Sequence, residues 1–86
     1  MNTELLELLV RLDAAFRTIA IVSGQYKIEL MRLNANAHRL HSQIGQEMIN
    51  CRRTQRASIK YKELVASLET VIETMEQYLI MATLLS

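Results

Sequence analysis

The apolar residues of this chain recur at alternating steps of four and three over nearly its whole length. One series runs Leu5, Leu9, Leu12, Phe16, Ile19, Ser23, Tyr26, Leu30, Leu33, Ala37, Leu40 and Ile44, with Ser23 as its one break. A second runs Ala57, Tyr61, Leu64, Leu68, Val71, Met75, Tyr78, Ala82 and Leu85 without interruption. Steps of four and three average about 3.5 residues, the repeat of a seam between packed α-helices. A half-buried strand would alternate with a period of two. The 86 residues include no proline and only two glycines, and 5% are aromatic. Sandwiches and barrels need many turns and many β-branched or aromatic positions. The chain therefore reads as all-α.

The two series do not share a register. Continuing from Ile44, the next seam positions are Glu47, Cys51 and Thr54, which are polar or small. The stretch Asn50-Cys51-Arg52-Arg53-Thr54-Gln55-Arg56 is the expected turn, with Asn50 ending one helix and Thr54 capping the next. Arg52 and Arg53 suit the negative C-terminal end of a helix dipole. Ser23-Gly24 is a second candidate break. A glycine inside a helix costs about 1 kcal/mol relative to alanine. The seam keeps its register across Gly24, which favours continuity. Arm lengths favour a break: if the chain reverses near Arg53, the ~1.5 Å rise per residue places Leu85 opposite roughly residues 21–23.

These considerations predict helices near 3–22, 25–49 and 55–85, in a single helical domain spanning 1–86. The last two form an antiparallel helical hairpin. The first either folds back as a third helix, giving a three-helix bundle, or crosses to another chain in a coiled-coil-like oligomer. A domain this short rarely gains more than ~3–5 kcal/mol from its core alone. No disulfide is possible with one cysteine. A partner, whether a second copy or another protein, is the expected reinforcement.

The apolar face is widest at the two ends of the chain. Val65, Ile72 and Leu79 join the seam of the last helix, and Leu6, Leu8, Val10, Ala20, Ile21 and Val22 flank that of the first. A two-helix seam uses two positions per heptad, and wider faces meet more than one neighbour. Leu5, Leu9, Leu12, Phe16, Leu79, Ile80 and Leu84 are therefore the candidate partner-binding residues. The implied function is a small helical protein–protein interaction module, an adaptor or chaperone-like subunit that is oligomeric.

The small net charge of +1 hides a strong asymmetry. Residues 26–62 hold eight cations against Glu29 and Glu47, whereas residues 63–86 hold Glu63, Glu69, Glu73 and Glu76 and no cation. The hairpin turn thus becomes a basic tip. Arg52, Arg53, Arg56, Lys60 and Lys62 are candidate anion-binding residues, and the alternative function is a nucleic-acid or polyanion binder. Nucleic-acid domains are usually basic overall, and the sequence pI here is about 7.9. Glu69, Glu73 and Glu76 share one helix face, where plain hydration is a simpler expectation than a basic stripe on a neighbouring helix.

Signals of catalysis are missing. There is no glycine-rich phosphate loop, paired-cysteine zinc spacing or serine nucleophile elbow. Small helical enzymes that clamp a dicarboxylate place cations inside the bundle, but here every cation lies off the seam. His38 and His41 share the three-residue spacing of a metal pair without a second ligand pair. They read as polar-face histidines, and Cys51 reads as a passive thiol. The expectation is no enzyme activity and no cofactor. The longest uncharged stretches are about half of the ~20 apolar residues a membrane-spanning helix requires. The first charges are acidic, unlike a secretory signal. The chain is expected to be complete, soluble and cytoplasmic, where a free cysteine is stable.

Overall fold

The computed structural model describes residues 3–22, 24–54 and 59–85. Three helices follow in order: α1 (Thr3–Ile19), α2 (Gln25–Thr54) and α3 (Ile59–Leu85). They form an all-α three-helix bundle, and the described residues contain no strand. α2 and α3 pack antiparallel, α1 docks on the hairpin of its own chain, and its main neighbour there is α3. The Tyr26 and Tyr78 rings meet at 5.9 Å, tying the start of α2 to the last turns of α3. Arg11 meets Glu76, while Glu4 lines a surface recess with Tyr61 and Lys62, so α1 runs parallel to α3. The molecule is a rod of 50 × 20 × 17 Å.

The chain leaves α1 earlier than the periodicity predicts. The helix stops at Ile19 and not at Val22. The amides of Ile21 and Val22 donate to the carbonyls of Thr18 and Ile19, three residues back. Such bonds tighten a final turn and satisfy orphan carbonyls. Three of the four residues from Ile19 to Val22, namely Ile19, Ile21 and Val22, are β-branched and hold helix poorly. Gly24 then adopts φ 80°, a left-handed conformation that costs an L-residue roughly 1–2 kcal/mol and glycine little. The break expected at Gly24 is real. Ser23 lies outside the described residues.

The other end corrects the expected turn. α2 does not stop at Asn50 but runs on through Cys51, Arg52 and Arg53 to Thr54. Nothing between Gln46 and Thr54 breaks a helix, and arginine is a good helix former that suits a last turn. Thr54, expected to cap the next helix, is thus still part of α2. Gln55 to Ser58, including Arg56 and Ala57, lie outside the described residues.

The core is built from one stripe per helix. α2 contributes Leu30, Ala37, Leu40 and Ile44, all on the expected seam. α3 contributes Val65, Leu68, Ile72 and Met75, so its centre lies between the seam and the flanking Val65–Ile72 line. α1 contributes Leu5, Leu8, Leu12, Ala15 and Ile19. Its buried stripe is turned from the expected one: Ala15 is 4% exposed and Phe16 is 53% exposed. Leu8 and Ala15 flank the Leu5–Leu12–Ile19 line on one side, Leu9 and Phe16 on the other. Both flanks are apolar, so periodicity alone does not choose between them. The small Ala15 side chain faces the core, and Leu9 packs on its margin.

Candidate interaction surfaces

Two regions stand out at opposite ends of the rod. The first lies where the C-terminal turns of α1 and α3 run side by side. A groove of about 660 Å³ opens between them. Arg11, Ala14, Ala15 and Thr18 line one wall, and Glu76, Gln77, Leu79, Ile80, Thr83 and Leu84 the other. Alanine at 14 and 15 keeps the α1 wall low. Ile80 is 52% and Leu84 78% exposed, so the α3 wall is apolar and open to solvent.

The groove ends at an ion pair. Arg11 Nε donates to Glu76 Oε2 at 3.1 Å, and Arg11 Nη2 donates to Glu76 Oε1. This paired, two-bond geometry is the strongest form of the guanidinium–carboxylate contact. The Arg11 guanidinium is held above its ordinary range, first by the hydrogen bond to Glu76, against a smaller desolvation, then by the charges of Glu76, Glu73 and Glu69. Glu76 is thus not simply hydrated, as the sequence suggested. A cation from a neighbouring helix meets it. Glu69 and Glu73 remain beside the pair, so this side of the bundle stays acidic.

The candidate partner-binding residues divide into three groups. Ile80 and Leu84 lie open on the groove, and Leu79 lines it while packing half-buried on the core. Leu5 and Leu12 are enclosed in the bundle's own core, because α1 folds back on its own chain and spends that face on α3 and α2. Phe16 is exposed but does not line the groove. It lies five residues from Arg11, roughly 140° around the helix at ~3.6 residues per turn, and so on another flank. Leu9 sits half-buried on that flank. Sequence reasoning missed Arg11, Ala14 and Thr18. The signal was faint: a cation and two small residues at three- and four-residue spacing on the margin of an apolar face.

The second region is the hairpin tip. The buried core positions end at Ile44 on α2 and Val65 on α3, and the first turn of α1, at Glu4, reaches Tyr61 and Lys62. Arg52, Arg53, Lys60 and Lys62 are all exposed there. Cys51 is a half-buried free thiol. His38 and His41 are exposed on the outer face of α2. No helix among the described residues is long and apolar enough to cross a membrane. The chain matches no protein-family model, no curated protein and no solved structure.

Proposed function

We propose that the chain is a small helical protein–protein interaction module, an adaptor or chaperone-like subunit, whose working surface is the groove between the C-terminal turns of α1 and α3. The observation that carries this reading is the exposure of Ile80 and Leu84 along that groove. A solvent-facing apolar wall beside a low alanine floor suits the apolar face of another helix. From Arg11 to Thr18 the groove runs along about two turns, roughly 10 Å, enough for three anchoring side chains at helical spacing. Glu69 and Glu73 lie beyond its closed end. The occupant is therefore an amphipathic helix of another polypeptide with basic residues flanking its apolar face.

The surface area supports a partner of ordinary size. The chain exposes 6203 Å². A compact monomer of this mass exposes about 5,200 Å². The surplus of about 1,000 Å² reflects the rod shape, and the ~800 Å² that each side loses in a standard interface is a modest share of the total. A free cysteine suits a reducing cytoplasm.

The test uses a synthetic amphipathic peptide with leucines at helical spacing and lysines at one end. Chemical-shift changes confined to Ala14, Thr18, Ile80 and Leu84, and lost in Leu84→Asp, support the reading. Changes elsewhere, or no binding, overturn it. Light scattering separates the remaining occupant. A mass of two chains that falls to one in Leu84→Asp would assign the groove to a second copy and overturn the adaptor role.

A further inference from the structure

The tip combines two chemistries that the groove does not. Between Glu47 and Glu63 the sequence holds Arg52, Arg53, Arg56, Lys60 and Lys62 and no acidic residue. Four of these cations are exposed and described, and they enter none of the ion pairs found among the described residues. Exposed isoleucines are interleaved with them. Ile49 is 52% exposed and precedes Arg52 and Arg53 by three and four residues, so all three share a face of α2. Ile59 is 77% exposed and shares a face of α3 with Lys62. Neither isoleucine belongs to the core.

We propose that this tip docks on an anionic lipid surface. The inference does not rest on the groove and its partner. Phosphate-bearing headgroups draw the four cations, and the acyl boundary just beneath them receives Ile49 and Ile59. A lipid surface is the polyanion whose charged plane lies directly over an apolar one. A nucleic-acid backbone would satisfy the arginines and lysines but leave the isoleucines in water, and the one aromatic near the tip, Tyr61, packs half-buried against the core. Beyond Lys62, α3 carries Glu63, Glu69, Glu73 and Glu76 and no cation, so the same surface repels the rest of that helix. The charge separation along a 50 Å rod therefore orients the molecule tip-down, with the groove end held away from the lipid.

Sedimentation with phosphatidylcholine vesicles, with and without phosphatidylglycerol, tests this. The full chain should sediment only with the phosphatidylglycerol vesicles, and less as salt rises. Each basic residue near an anionic surface contributes about fivefold in partitioning, so the pair R52Q/R53Q should lower binding by more than tenfold. R52K/R53K, which keeps the charge, should retain it. I49S/I59S should weaken binding several-fold with unchanged helix content. All these positions are exposed and outside the core, so the variants stay folded. No sedimentation at low salt would overturn the proposal. So would I49S/I59S binding like the parent chain, or a single-stranded oligonucleotide competing fully with the vesicles, since either makes the tip a plain polyanion site.

Discussion

Arg11 and Glu76 are 65 residues apart in sequence and bind each other through two hydrogen bonds, fastening α1 to α3 at the closed end of the groove. Both side chains keep over a third of their surface in water, at 38% and 36%. Screening therefore limits the contact to at most about 1 kcal/mol. A double-mutant cycle of Arg11→Ala and Glu76→Ala, read by urea unfolding, should give a coupling of a few tenths of a kcal/mol to about 1 kcal/mol. The coupling should shrink as salt is added.

The same pair fixes a pH dependence. The folded state raises the Arg11 pKa above its ordinary value. A raised cationic pKa stabilises the fold fully below the unfolded value and loses that contribution only as pH rises through the folded one. Arg11 thus contributes no slope to stability between about pH 6 and 10. Comparing the parent chain with Arg11→Gln across that range should give two parallel stability curves. A gap that closes before pH 10 would contradict the assignment.

The turned face of α1 makes a sharp contrast between near neighbours. Leu12 is buried, and Leu12→Ala should cost about 2–4 kcal/mol. Phe16 is half-exposed, and Phe16→Ser should cost under about 1 kcal/mol. Thermal unfolding by circular dichroism distinguishes the two readily. A Phe16 loss as large as that of Leu12 would restore the seam read from sequence.

The two glycines should respond in opposite directions. An added Cβ meets nothing within 4 Å at either one. Gly24 has φ 80°, so Gly24→Ala should destabilise by about 1 kcal/mol through backbone strain alone. Gly45 lies inside α2, where Gly45→Ala should stabilise by roughly 0.5–1 kcal/mol. Chemical denaturation of both variants checks the sign.

Asn34 presents a buried Oδ1 that has no hydrogen-bond partner among the described residues. An unsatisfied buried acceptor costs about 1–3 kcal/mol relative to a satisfied one. Asn34→Leu, close in volume, should raise stability by about 1 kcal/mol. A lower melting temperature in that variant would show that Asn34 makes a contact through water.

The legibility of the fold followed the strength of each local signal. The α2 stripe from Leu30 to Ile44 was readable because its other faces are polar, leaving one register. The α1 stripe was not, because Leu8 with Ala15 and Leu9 with Phe16 offer equal apolar flanks and only the packed bundle decides. The helix break at Gly24 was visible as a glycine and favoured by arm lengths, but a seam unbroken in register left it open, whereas the continuation of α2 to Thr54 was hidden by a polar seam. Polar residues past Ile44 signal the end of the core, not the end of the helix. Of the groove, Leu79, Ile80 and Leu84 were readable as surplus apolar residues. Arg11, Ala14 and Thr18 were not, since the parallel placement of α1 on α3 is a tertiary fact. The basic tip was legible as charge, and the exposed Ile49 and Ile59 became visible only once the core was seen to end at Ile44 and Val65.

That early end of the core divides the hairpin into two regimes of local stability. Where α1 lies against α2 and α3, opening a backbone amide means disrupting three packed helices. Past Ile44 and Val65 the described residues include no buried side chain, and α1 reaches that region only with its first turn. Amides from Glu47 to Arg53 and from Lys60 to Lys62 should therefore exchange with solvent deuterium through local fraying, far faster than those around Leu30, Leu68 and Ile72, which open only with the whole bundle. The tip can adjust its shape on a docking surface without loosening the groove end, because the two draw on separate cooperative units of one chain.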